Sequence, residues 1–166
     1  ICDYYDVNAY LADNPEDRML EFESLIKRIH EAGLKVIIDF VPNHVSRDYG
    51  RVSPVEGQPV RGSDDDKTVH WKSENDFFYY PGQKLTLPKE APEGMEPYME
   101  YPAMATGNNC YSPAPGINDW YETVKINHGD SHTATWDKMY DIISFWAGKG
   151  VDGFRCDMVE LVPPEF

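Results

Sequence analysis

Two short strings in this chain carry the residue types that do polar chemistry, and each closes a β-branched run: DFVPNH from Asp39 to His44, and GFRCD from Gly153 to Asp157. Side chains alternate along a strand, so Gly153, Arg155 and Asp157 share one face while Phe154 and Cys156 take the other. An arginine beside an aspartate favours the ionised carboxylate by Coulombic attraction and hydrogen bonding, which suits a group that attacks rather than one that donates a proton. A buried structural ion pair is the other reading of the same spacing. Two polar clusters, each just past the end of a strand, point to one shared site.

Positioning those clusters takes two helix–strand pairs. Met19, Phe22, Leu25, Ile26 and Ile29 recur at helical spacing ahead of a strand from Lys35 to Phe40. Asn14 as a cap, Pro15 in the first turn, and Glu16 and Asp17 mark the start of that helix, and Gly33 after His30 marks its end. Near the C-terminus, Trp136, Met139, Tyr140, Ile143, Trp146 and Ala147 make one helical face that Gly148 and Gly150 can end, followed by a strand from Val151 to Arg155. Helix, strand, insert, helix, strand is the grammar of a parallel α/β fold. It predicts parallel strands with Asp39, His44, Arg155 and Asp157 converging at their C-terminal ends, and contact between Asp39 and Arg155.

The two strings resemble the first and second conserved regions of the α-amylase family, family 13 of the glycoside hydrolases. Between them, NDWYETVKIN at 118–127 resembles the stretch that leaves the family's inserted B domain. Asp3-Tyr4-Tyr5-Asp6-Val7 followed by Asn14-Pro15 resembles the segment after the family's second strand. The likeness runs over nearly the whole chain and is loosest in the insert. It implies a partial TIM (β/α)8 barrel, about two βα units around a long irregular insert. Residues 1–44 (helix 2 and strand 3) and 131–166 (helix 3 and strand 4) are then barrel portions, and 45–130 is the B-domain-like insert.

The same resemblance implies a retaining glycoside hydrolase or transglycosylase that acts on α-glucans or α-glucosides through a covalent glycosyl-enzyme intermediate. Residue by residue, Asp157 matches the catalytic nucleophile and Arg155 the arginine that positions it. His44 matches a histidine that hydrogen-bonds the sugar where cleavage occurs, and Asp39 a structural acid paired with the arginine. Asn43 matches a position that is a calcium ligand in many α-amylases and a plain loop-fixing amide in others, so a structural Ca2+ is one implication although the chemistry needs no cofactor; calcium takes about six to eight oxygens. Three and four residues after Asp157 the typical α-amylase has Lys and His, whereas this chain has Glu160 and Leu161. With Asn14-Pro15-Glu16-Asp17 in place of the common Tyr-Gly-Thr turn, the resemblance points to a variant subfamily.

At 166 residues the chain is short for a complete barrel, which takes about 250. It opens at Ile1, near where the family's second strand would end, and stops just after the fourth. The expectation is a segment from which the rest of the barrel, with the general acid/base Glu, is missing, and which is inert alone. With the N-terminus expected to be absent, a leader peptide is neither claimed nor excluded, and secreted, periplasmic and cytoplasmic locations all stay open.

A net charge of −14 argues against nucleic acid and anionic membranes as partners, and no run of about 18 apolar residues spans a membrane. Between about 45 and 130, Pro and Gly become frequent and apolar periodicity fades. Trp71, Phe77, Phe78, Tyr79, Tyr80 and Trp120 there suit either sugar stacking or a small local core, the core being favoured. Aspartates 64–66 read as a solvated loop rather than a cation site. Cys2, Cys110 and Cys156 show no metal-ligand spacing, and Cys156 reads as a small core residue behind the sheet. Two other classes of function stay open: a non-catalytic binding or scaffold relative, and a metal-dependent barrel hydrolase using Asp39, His44 and Asp157, against which His30, His70, His128 and His132 sit in no convincing ligand pattern.

Overall fold

A computed structural model describes residues 1–50, 60–89 and 98–166; 51–59 and 90–97, within the expected insert, lie outside the described residues. Two helices and a parallel strand pair form the α/β unit. Helix α1 (Arg18–Glu31) begins after a 3-10 turn at Pro15–Asp17, where the Asn14 side chain accepts from Glu16 N–H. The Glu21 carboxylate accepts from the Asp13 and Asn14 N–H groups, both at 2.8 Å, so it ties the segment entering the helix to its first turn. Gly33, at φ +76°, ends the helix, with Leu34 N–H reaching back to Ile29 O.

Strand β1 (Ile37–Phe40) lies parallel to a second strand, Gly153–Cys156, with Ile37 opposite Gly153 and Asp39 opposite Arg155. Both are shorter than the runs expected from sequence, because Val36 and Val151 are buried connectors rather than ladder residues. Ile38, Phe40 and Phe154 turn to the core, the Phe40 and Phe154 rings meeting at 6.2 Å. Ile37 and Asp39 face the open side. At the start of the pair, Asp152 binds Lys35 Nζ (2.8 Å), His30 Nε2 (2.7 Å) and Val36 N–H (2.9 Å), and the Lys35 contact, first among these, holds its carboxyl well below the usual range.

Helix α2 (Ala134–Gly148) buries Thr135, Met139, Ile142 and Trp146. This corrects the expected face: Tyr140 is 69% exposed, because the packed stripe runs through Thr135, Met139 and Ile142. Trp146 meets Phe22 of α1 edge-on at 5.5 Å and donates to Tyr4 O at 2.7 Å. Each fully buried aliphatic here contributes about 1.5–3 kcal/mol. No helix among the described residues is long and apolar enough to cross a membrane.

The ends of the segment expected to be an insert lie side by side: β2 (His44–Ser46) pairs antiparallel with a strand at Thr123–Lys125. Within it β3 (Tyr79–Tyr80) pairs with β4 (Ala103–Met104); in chain order Thr123–Lys125 is β5 and Gly153–Cys156 is β6. Its polar groups are braced inside. Arg47 binds Glu100 at 2.6 Å and 2.8 Å, and Asp76 takes Arg61 at 3.2 Å and Lys138 of α2 at 2.5 Å. Asp65 accepts from Asp76 N–H, Phe77 N–H and the Tyr79 hydroxyl, so it is a structural hub rather than part of a solvated loop. Of the aromatics, Phe77 and Tyr79 join the main core while Trp71 is 44% exposed.

Candidate active site

The polar residues gather where β1 and β6 end. Asp157 N–H donates to Phe40 O at 2.8 Å, extending the parallel ladder one residue and pinning the backbone that carries the carboxylate. Arg155 Nη1 lies 2.7 Å from Asp157 Oδ1 and 3.4 Å from Asp39 Oδ2. The direct Asp39–Arg155 register and the two-residue offset to Asp157 set this row. Within this chain the Arg155 and Asp39 side chains are 60% and 63% exposed. Met158 turns the chain immediately afterwards at φ 53°, a left-handed conformation unusual for a side chain with Cβ. Cys156 does take the opposite face, but it is exposed rather than a core residue, beside Phe40, Trp136 and Val159.

His44 sits at the start of β2, close enough to Asp157 to feel its charge. Burial pulls its pKa below the ordinary value, and Lys125 adds to this while Asp157 opposes it. Its ring packs against Trp120 at 5.4 Å. Asn43 is fully buried and engaged at both ends: Nδ2 donates to Gly107 O at 2.7 Å, and Oδ1 accepts from the Lys125 ammonium. That fixes the amide orientation, so the 3.1 Å contact from Asn43 Nδ2 to His44 Nδ1 makes Nδ1 the acceptor. The neutral ring then carries its proton on Nε2, a donor suited to a hydroxyl.

Lys125 and Gly107 do not stand out in the sequence. Lys125 lies inside NDWYETVKIN, flanked by buried Val124 and Ile126, and a lysine between two core residues is the signal that marks it. A Cβ on Gly107 would lie 2.7 Å from His44 Cβ, a contact across 63 positions that no local pattern announces.

The residues do not fit a calcium ion at Asn43. Its only side-chain oxygen already holds an ammonium, and among the described residues no group of three or more His, Cys, Asp or Glu is arranged to hold a metal. Asp39 and Asp157 flank a guanidinium, the opposite of what a metal-ligand set with His44 requires.

The candidate site is thus a parallel strand pair ending in an acid–arginine–acid row, with a histidine near Asp157. The alpha amylase catalytic domain family matches residues 2–165. The chain belongs to that family, family 13 of the glycoside hydrolases. It is 30% identical over 162 residues to maltase A1 of Drosophila melanogaster, covering 93% of this chain and 25% of that protein. It is 25% identical over 163 residues to an alpha-glucosidase of Pediococcus pentosaceus, covering 95% and 26%. With a cyclomaltodextrin glucanotransferase of Niallia circulans it shares 29% over 172 residues, covering 97% and 18%. The chain thus spans roughly a quarter or less of the length of these relatives.

Proposed function

We propose that these residues supply the nucleophile half of the active site in a retaining glycosidase or transglycosylase acting on α-glucans or α-glucosides. The observation that carries the reading is Arg155 Nη1 held 2.7 Å from Asp157 Oδ1 while Asp39 steadies the same guanidinium from the neighbouring strand. Asp157 attacks the anomeric carbon and the glycosidic C–O bond breaks. The leaving oxygen takes a proton from a second carboxylic acid about 5–5.5 Å from the nucleophile. The resulting glycosyl ester is released by attack of water, for hydrolysis, or of a sugar hydroxyl, for transfer. His44 Nε2–H hydrogen-bonds the sugar in the same subsite, and Asp39 has a positioning role.

In this reading the open face of β1 and β6 is the interior of a (β/α)8 barrel, of which 1–44 and 131–166 form about two βα units, and 45–130 is the insert at its mouth. The names of the relatives, a maltase, a glucosidase and a glucanotransferase, support an α-glucoside substrate with either water or sugar as acceptor.

In the full-length protein, Asp157→Asn removes the attacking oxygen and keeps the shape. Turnover of an α-glucoside is expected to fall on the order of a thousandfold while sugar binding survives. Near-normal turnover in the variant refutes the reading, and a wild-type protein that binds α-glucans without turning them over returns the non-catalytic one.

A further inference from the structure

Lys125 takes no part in the chemistry above, yet it is only 5% exposed. Its ammonium donates to Asn43 Oδ1 and, at 2.7 Å, to Leu161 O. One side chain thereby joins three segments: the loop after β1, the strand β5 by which the insert returns, and the 3-10 turn Val159–Leu161 that follows Asp157. No carboxylate is among its hydrogen-bond partners in the described residues. Both partners are neutral oxygens, one an amide and one a peptide carbonyl, and such hard oxygens are the type that coordinates calcium. Burial of an unpaired ammonium is costly, so its retention there calls for a structural return. A divalent ion coordinated by the same oxygens at about 2.3–2.6 Å would sit against the ammonium and be repelled by it.

We propose that Lys125 is the resident cation of this site: it replaces a divalent ion between Asn43 and Leu161 and positions the turn that carries Asp157. The proposal rests on Asp157 being the nucleophile. Lys125 is a positioning residue, acting on the reaction through the backbone from Asp157 to Leu161 and through Asn43, which in turn orients His44.

The test uses the full-length enzyme with Lys125→Met, which deletes the charge and keeps much of the volume, and Lys125→Gln, which keeps a donor. Wild-type kcat and Tm are expected to be unmoved by a chelator or by CaCl2, and terbium luminescence is expected to report no lanthanide at this site. In Lys125→Met, kcat is expected to fall on the order of tenfold or more, because the turn that carries Asp157 is released, with a smaller rise in KM as Asn43 loosens its hold on His44. Lys125→Gln is expected to lie between the two, and it decides the matter if Lys125→Met does not fold. A merely structural lysine would lower Tm and leave kcat alone, which overturns the proposal. So does calcium or terbium binding to the wild type that Asn43→Ala abolishes. Covalent trapping of Asp157 in the wild type tests the nucleophile assignment separately, so failure of one is distinguishable from failure of the other.

Discussion

A single methyl group added at Gly107 measures how closely the site is built. Its Cβ would lie 2.7 Å from His44 Cβ, 2.8 Å from Thr123 Oγ1 and 2.9 Å from His44 Cγ, where non-bonded carbons settle at about 3.5–4.0 Å. His44 or the Gly107 backbone must therefore give by roughly an ångström. Neither is loose: Gly107 O accepts from Asn43 Nδ2 at 2.7 Å, and Gly107 N–H donates to Thr123 Oγ1 at 3.0 Å. The φ of Gly107 lies outside the left-handed region, so lack of space, not backbone strain, is the whole effect. Gly107→Ala is expected to cost about 1–3 kcal/mol of stability by overpacking. It should lower kcat/KM on the order of a hundredfold, the effect of about 1 Å of misplacement at a reacting centre. Steady-state kinetics on a chromogenic α-glucoside and urea denaturation of the full-length protein check both. Gly148→Ala, at the end of α2 with nothing within 4 Å of the added Cβ, is the control and should be neutral or gain up to about 1 kcal/mol. A Gly107→Ala enzyme with wild-type kcat/KM and an unchanged urea midpoint would refute the reasoning.

His128 gives a pH dependence. It is 4% exposed, donates through Nε2 to Pro42 O at 2.9 Å, and burial pulls its pKa down to about 4. The unfolded chain takes the proton near the ordinary value of about 6.5, so stability is intact above that pH and is lost as pH falls toward 4, by up to about 3 kcal/mol. His128→Gln should flatten the loss between neutral and mildly acidic pH in urea melts, and identical slopes for the two proteins would count against it. Met158, at φ 53° directly after the proposed nucleophile, sits where a β-branched residue is most strained. Met158→Val should lower both stability, by about 1–3 kcal/mol, and turnover, whereas Met158→Gly should keep both; equal behaviour of the two variants would remove the backbone from the explanation.

The strand pair and its acid–arginine–acid row were legible because they depend on local alternation and short-range chemistry. Knowing that Asp157 is two residues beyond Arg155, and that each strand follows a helix and runs parallel to the other, is enough to place the row. The bounds of α1 were equally local, set by Asn14, Pro15 and Gly33. What escaped was set by partners distant in sequence. The packed stripe of α2 turned toward Thr135 and Ile142 and left Tyr140 out. Cys156 alternates as expected, yet among the described residues little covers it. The resemblance left Asn43 either a calcium ligand or a loop-fixing amide, and the choice between them is made by a lysine 82 positions away that claims the amide oxygen. Gly107 was invisible for the same reason, since close approach is a property of two segments and not of one.

The identity of the attacking carboxylate is open to direct measurement. A slow-leaving fluorinated glycosyl donor incubated with the full-length protein should leave one glycosyl group on the peptide containing Asp157, read by peptide mass, and none on Asp157→Asn. Label on a different carboxylate, or turnover of the donor with no covalent species at any carboxylate, would contradict the assignment of Asp157 as the nucleophile.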